Sequence, residues 1–210
     1  MKYSKGLGIA LLITGVLAIH GAEHATASIL CENTSTPCNM PWKTFQLLNF
    51  SLVKGQTATL ATTGGILEDT CSGSTVSGSV TNVGSSTATP VIAVQTAGLG
   101  WTGCTNTTKT LTGGEIEVHN IAGTDNGTAT AKGFAVTVLM SGLDCAYGAS
   151  TGIDLGELTI STGTDAVLHV NTTVKRNNEH SNVFCPETAK WVATYTDTNT
   201  TPLFIETSGN

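Results

Sequence analysis

Apolar residues alternate with threonine and serine in short stretches along the last three quarters of the chain. The clearest stretches are residues 57–63, 75–83 and 115–121, and in the last of these two glutamates share the polar side. An alternation with period two places the apolar side chains on one face of a β-strand. The same pattern predicts further strands at residues 90–96, 127–140, 156–161, 166–174, 189–196 and 202–205.

Turn residues separate these stretches. Gly64-Gly65 and Gly113-Gly114 mark turns, and Asn126-Gly127 favours a type I′ hairpin because both residues tolerate positive φ angles. Residues 127–140 form one long strand or two strands broken at Gly133. About nine or ten short strands with no helical periodicity predict an all-β fold, an antiparallel β-sandwich or a barrel-like domain.

The segment before residue 57 differs from the rest. Cys31 and Cys38 can close a short loop, and residues 40–50 carry the densest large apolar content of the chain after residue 27. That apolar run is too short for its period to distinguish one or two helical turns from a strand. The sequence therefore divides into a leader at residues 1–27, an N-terminal segment at residues 28–56 and a β-domain at residues 57–210.

The first 27 residues have the three parts of a secretory signal peptide. Lys2 and Lys5 precede an uncharged apolar run at residues 7–19, and Ala25-Thr26-Ala27 is a small-x-small cleavage site. The apolar run has about 13 residues, whereas a membrane-spanning helix needs about 20. We therefore expect a cleaved leader, a secreted or envelope-located protein that begins near Ser28, and no membrane span in the mature form.

Charge is scarce. Asp, Glu, Lys and Arg make up 11 % of the residues, and the net charge is −6. The only basic cluster after residue 27 is Lys175-Arg176, so the chain lacks the basic surface that nucleic acids require. Threonine, glycine, serine, valine and alanine take the place of charges, and the β-branched residues among them favour strands.

Six cysteines follow the leader, at positions 31, 38, 71, 104, 145 and 185. An even number in an exported chain indicates disulfides. Six cysteines allow fifteen connectivities, and chain order favours Cys31–Cys38, Cys71–Cys104 and Cys145–Cys185. No CxxC pair is present, so the spacing does not indicate a metal site. The sequence points to no cofactor.

Several short motifs match a known group of proteins. They are Cys145-Ala-Tyr147-Gly148, Phe184-Cys185-Pro186, Trp191-Val-Ala-Thr-Tyr195, and Gly100-Trp101 with Cys104. Together they resemble small secreted all-β bacterial proteins, common in actinobacteria, over about residues 71–204. The resemblance implies an exported β-domain with paired cysteines and no assigned activity, and it supplies no catalytic residue.

Two kinds of candidate site remain. Trp101 lies in a glycine-rich loop and is the best candidate for a ring that stacks on a sugar, the alternative being a buried core anchor. Lys175, Arg176 and His180 belong to a polar segment before Cys185, which is either a binding loop or a solvated hairpin tip. Residues 148–152 match the G-x-S-x-G pattern, with Ser150 as nucleophile, but such an elbow needs a helix after it and the next residues look β-like.

We therefore expect a non-enzymatic exported β-domain with a structural or surface-interaction role at the cell envelope, where it contacts copies of itself or an envelope glycan. The alternative is a binding module for carbohydrate or a small envelope ligand. A serine hydrolase that uses Ser150 is the third hypothesis.

Overall fold

The computed structural model describes residues 28–33, 38–65, 67–84, 92–121, 123–160 and 165–207, so the expected leader lies outside the described part. The described residues form fourteen strands and no helix. The strands are β1 (Ser28–Cys31), β2 (Leu47–Leu52), β3 (Ala58–Thr62), β4 (Glu68–Asn82), β5 (Ile92–Cys104), β6 (Thr107–Thr112), β7 (Glu115–Asn120), β8 (Gly127–Lys132), β9 (Phe134–Met140), β10 (Leu143–Ala149), β11 (Ile153–Thr159), β12 (Val167–Arg176), β13 (Thr188–Asp197) and β14 (Phe204–Thr207). The all-β prediction is confirmed, and of the two predicted architectures the strands adopt the barrel.

The barrel has eight strand positions and closes on itself. Antiparallel ladders run from β4 through β5, β7, β8, β11 and β12 to β13. The last position is shared, because β3 pairs with one half of β13 and of β4 while β2 pairs with the other half of each. Closure gives each barrel strand a hydrogen-bonded neighbour on both sides over at least part of its length, which limits the usual route to uncontrolled strand pairing.

Three extra strands extend this barrel. β10 joins the end of β12 at Tyr147 and Gly148, β9 pairs with β10, and β6 pairs with β9. The extension starts at Gly133, which separates β8 in the barrel from β9 outside it and has a φ of 69° that glycine adopts without strain. The predicted break at Gly133 is therefore confirmed.

Alternating burial explains why the strands form where they do. In β12 and β13, inward apolar side chains alternate with outward polar ones along most of each strand. Trp191 of β13 packs against Trp101, Phe134 and Tyr195, with ring centroids 5.7–6.4 Å apart. The hydroxyl of Tyr195 lies 3.0 Å from that of Ser74, and burial raises the pKa of Tyr195 to about 12.

The N-terminal segment is integrated into the domain. The apolar run that the sequence left undecided contributes β2, a barrel strand. β1 pairs with β14 in a separate two-stranded sheet whose Leu30 and Ile205 belong to the same hydrophobic core. Trp42 is buried and donates its Nε1–H to the Pro202 carbonyl, 3.1 Å away.

Three disulfides cross-link the fold, and they pair the cysteines in the order that the sequence favoured: Cys31–Cys38, Cys71–Cys104 and Cys145–Cys185. The second bridge joins β4 to β5, and the third joins β10 to the connection between β12 and β13. Each of these two closes more than 30 residues of chain, which in the chain-entropy description stabilises the fold by about 4 kcal/mol.

One predicted turn is wrong. β7 and β8 do form a hairpin, but Gly127 is the first residue of β8, and the positive φ of that connection is at Gly123. The two-residue turn with two positive φ angles is Ser141-Gly142, between β9 and β10. The Asn120 side-chain amide donates hydrogen bonds to the carbonyls of Thr124 and Asn126, and these bonds stabilise the longer β7–β8 connection. The Asn126-Gly127 pair alone does not predict them.

Candidate functional site

The cavities found among the described core residues are small. Three cavities among the core side chains of the barrel have volumes of only about 10, 20 and 30 Å³. A volume of this size holds one or two water molecules.

The outside offers one large cleft where the extension leaves the barrel. It has a volume of about 850 Å³ and lies between the β8–β9 bend, the β10–β11 connection and the end of β12. The wall combines apolar and polar side chains with backbone from several glycines. Its side chains include Thr112, Phe134, Ser150, Thr151, Ile153, Lys175, Arg176, Asn177, Asn178 and Glu179.

Two of the four predicted ligand contacts lie at this cleft. Lys175 is exposed at its wall, whereas the guanidinium of Arg176 is already engaged. Arg176 donates to the Asn178 side chain at 2.9 Å and to the carbonyls of Val183 and Cys185 at 3.0 and 2.6 Å. Arg176 therefore positions the connection after β12, and Lys175 carries the available positive charge.

The other two predicted contacts lie elsewhere. Trp101 is in strand β5 and not in a loop; its ring is half-buried against Trp191 and its Nε1–H donates to Thr110. This packing covers part of the ring, so Trp101 is half-buried and lies away from the cleft. His180 is exposed on the connection after β12 but does not line the cleft.

Residues 177–187, here called the β12–β13 loop, are held along the edge of β10. Ser181 exchanges two hydrogen bonds with the backbone of Ala146, at 2.6 and 2.8 Å, and the Asn182 N–H donates to the Asp144 carbonyl at 2.8 Å. The Cys145–Cys185 disulfide and the Tyr147 hydroxyl, which donates to Pro186, complete the attachment. Burial raises the pKa of Tyr147, so this hydroxyl keeps its proton.

This well-anchored loop presents two large apolar side chains to solvent. Val183 is 79 % exposed and Phe184 is 80 % exposed. The sequence analysis used Phe184 only as part of a motif and missed its exposure. The signal was available, because two adjacent apolar residues stand beside a cysteine in an otherwise polar loop.

The serine motif does not form a nucleophile elbow. Gly148 and Ala149 end β10, Ser150 is exposed, and β11 follows at Ile153 in place of a helix. Among the described residues that line the cleft there is no histidine to act as a base for Ser150.

Two acidic groups have structural partners. Glu115 and Glu117 both bind the ammonium of Lys132, at 2.9 and 2.5 Å, and this lysine lowers the pKa of Glu117. A glycosidase acid needs a raised pKa, which this arrangement does not provide.

Buried Asp69 lies close to the sulfurs of Cys71 and Cys104, but the disulfide leaves these no thiolate to bind a metal. Its carboxylate accepts hydrogen bonds from the Asn106 N–H at 2.8 Å and from the Thr108 hydroxyl. Asp69 thereby ties the β5–β6 connection and the start of β6 to β4.

Within the described residues, no helix has the length and apolarity that crossing a membrane requires. No protein-family model matches the chain, no curated protein matches it, and no solved structure matches it.

Proposed function

We propose that this protein is exported and acts outside the cytoplasm as a non-enzymatic interaction module at the cell envelope. Three disulfides in a domain of this size are typical of extracytoplasmic proteins, and the leader-like residues 1–27 support export. The resemblance to small secreted bacterial proteins agrees with this proposal.

The observation that carries the proposal is the β12–β13 loop. A disulfide, Arg176 and Ser181 hold its backbone, while Val183 and Phe184 lose almost none of their surface to the rest of the protein. Exposed apolar side chains on a rigid support bind partners at a low cost in conformational entropy. The loop is therefore the contact surface that we assign to the module.

The test is the binding of labelled, oxidised protein to isolated envelopes of the producing organism. Phe184→Ser is expected to weaken binding about tenfold, which corresponds to about 1.4 kcal/mol. Phe45→Ser is the matched control, because Phe45 is 79 % exposed but lies beside Val80, far along the chain from the loop. Equal losses in the two variants, or no binding by the unaltered protein, would contradict the proposal.

Binding of a carbohydrate is the second candidate, and the cleft is the observation that favours it. Hydroxyl and amide side chains line it, Lys175 adds one positive charge, and its volume suits a small sugar or an acidic sugar. A glycan array read with the unaltered protein and with Lys175→Met tests this. Lys190 is an exposed lysine of β13, and Lys190→Met is the control. Loss of glycan binding in Lys175→Met but not in Lys190→Met would support binding in the cleft. A silent array would leave the loop as the contact surface.

A further inference from the structure

The first described residue of the chain is unusually well enclosed. Ser28 begins β1, is fully buried, and pairs with Thr207 of β14. Its hydroxyl oxygen accepts a hydrogen bond of 2.7 Å from the Asn120 N–H at the end of β7. The start of β1 is thus enclosed by β14 and by the β7–β8 connection.

Two buried oxygens beside this position have no donor. Asn120 is 8 % exposed and Glu206 is 4 % exposed, and within the described part of the chain neither Asn120 Oδ1 nor Glu206 Oε2 has a hydrogen-bond partner. The other end of the Asn120 amide is engaged, because Nδ2 donates to the Ile205 carbonyl at 3.1 Å. Glu206 is the residue after Ile205 and faces Ile29 in the β1–β14 ladder.

A positive charge beside Glu206 and Asn120 would stabilise an ionised Glu206. Burial raises the pKa of Glu206, and the nearby carboxylate of Asp125 raises it further. A buried carboxylate and a buried amide oxygen without donors are costly, and a cation that donates hydrogen bonds removes both costs.

We infer that removal of the leader after Ala27 supplies this cation as the α-ammonium group of Ser28. Hydrolysis of the Ala27–Ser28 peptide bond consumes one water, leaves a carboxylate on Ala27, and leaves an amine on Ser28 that takes up a proton. The new ammonium lies at the start of β1, where it donates to Glu206 and to Asn120 Oδ1. The inference rests on the export proposed above and adds that processing itself completes the β1–β14 sheet.

The experiment uses the 210-residue chain, expressed with residues 1–27 in place as its leader. Mass spectrometry of the secreted protein maps its N-terminus, which we expect at Ser28. A second precursor carries Gly-Ser inserted after Ala27, so the processed chain starts two residues earlier and its ammonium lies up to about 7 Å from the site. The inserted residues are expected to lower Tm by about 3 °C or more.

Glu206→Gln in both precursors tests the pairing itself. In the normal processed chain it is expected to lower Tm by about 3 °C, and in the extended chain to leave Tm unchanged or raise it, because the carboxylate there has lost its cation. Glu157→Gln, an exposed acid on β11, is the matched control and is expected to change Tm equally in both chains.

The outcomes separate the two proposals. A precursor that is neither secreted nor cleaved overturns both the export and the inference. Cleavage at Ser28 with additive effects of the insertion and of Glu206→Gln leaves export intact and overturns the ammonium pairing. If EDTA lowers the Tm of the normal and the extended chain equally, the ammonium pairing is overturned as well, because a bound metal is then the cation.

Discussion

Single buried polar residues secure the connections of this protein. Asp69 binds the β5–β6 connection, Asn120 binds three carbonyls, and Asp197 accepts from the backbone N–H of Asn199 at 2.9 Å. None of these roles follows from the residue type, because each partner is decided by tertiary packing. Buried polar groups need such partners, and their loss is costly.

Asp197 gives a prediction for the dependence of stability on pH. Burial raises its pKa above the ordinary 3.8, and the nearby Asp165 contributes to that rise. The protonated form is therefore favoured in the fold, so its stabilising contribution is complete below the unfolded pKa and is lost as pH rises through the folded pKa. Asp197→Asn should raise Tm relative to the unaltered protein more at pH 7 than at pH 3.5.

The control for this titration is Asp154→Asn. Asp154 accepts the same kind of bond, from the Gly156 N–H at 2.9 Å, but it is exposed. A pH dependence of the Tm difference for Asp154→Asn as large as that for Asp197→Asn would show that burial of Asp197 is not the cause. A Tm difference for Asp197→Asn that does not change between pH 3.5 and pH 7 would show that the carboxyl is not desolvated.

At the scale of elements, the point where the extension leaves the barrel depends on close backbone approach. A Cβ on Gly148 would lie 2.1 Å from the Phe134 carbonyl oxygen, whereas a Cβ on Gly152 meets nothing within 4 Å. The first glycine of the G-x-S-x-G match is thus required by the β9–β10 ladder, and the second is not. The motif has a structural explanation that needs no catalytic serine.

Gly148→Ala should destabilise the protein by about 1–3 kcal/mol, because the β9 backbone has to move. Gly152→Ala should stay within about 0.5 kcal/mol of the unaltered protein. Urea denaturation of the oxidised variants measures both. Equal stability of the two variants would mean that β9 and β10 do not approach as closely as described.

The Cys145–Cys185 bridge gives a second prediction at this scale. Replacing both cysteines by alanine should cost about 4 kcal/mol and should speed amide hydrogen exchange in residues 177–187. Removing Cys71 and Cys104 together should cost a similar amount, because the closed loop is of similar length, but should leave exchange in residues 177–187 unchanged. Similar exchange in both double variants would contradict the anchoring role of the third bridge.

The whole molecule combines a closed barrel with a three-stranded extension that is hydrogen-bonded to the barrel through β10 and ends at β6. Every barrel strand has hydrogen-bonded neighbours on both sides, whereas the last strand of the extension, β6, pairs only with β9. Its other edge faces β5 through side chains, with Thr110 donating to the Leu99 carbonyl at 2.7 Å. Stability should therefore be uneven across the molecule.

Hydrogen exchange followed by mass spectrometry checks this. Amides of β12 and β13 should exchange slowest, because opening them requires opening the barrel, and amides of β6 should exchange at least tenfold faster. Equal protection of β6 and β13 would indicate that the extension and the barrel unfold as one unit.

Local patterns in the sequence determined the class of fold and most of its strands. Alternation located β3, β7, β12 and β13, and chain order indicated the disulfide pairs. Strands β1, β6 and β10 were not predicted, because their apolar alternation is weak. Strands β1 and β6 form by pairing with strands distant in sequence, and β10 pairs with the adjacent β9 and with the end of β12.

The candidate site was less accessible to sequence reasoning. Lys175 lies at a cleft, Trp101 is half-buried against Trp191, and Phe45 and Phe184 are the strongly exposed aromatic residues of the described chain. Period and composition report which residues prefer a strand or a turn, since these are local preferences of the backbone. Burial of an aromatic ring, closure of the barrel and the direction of a loop depend on contacts between distant segments, and only the tertiary structure decided them.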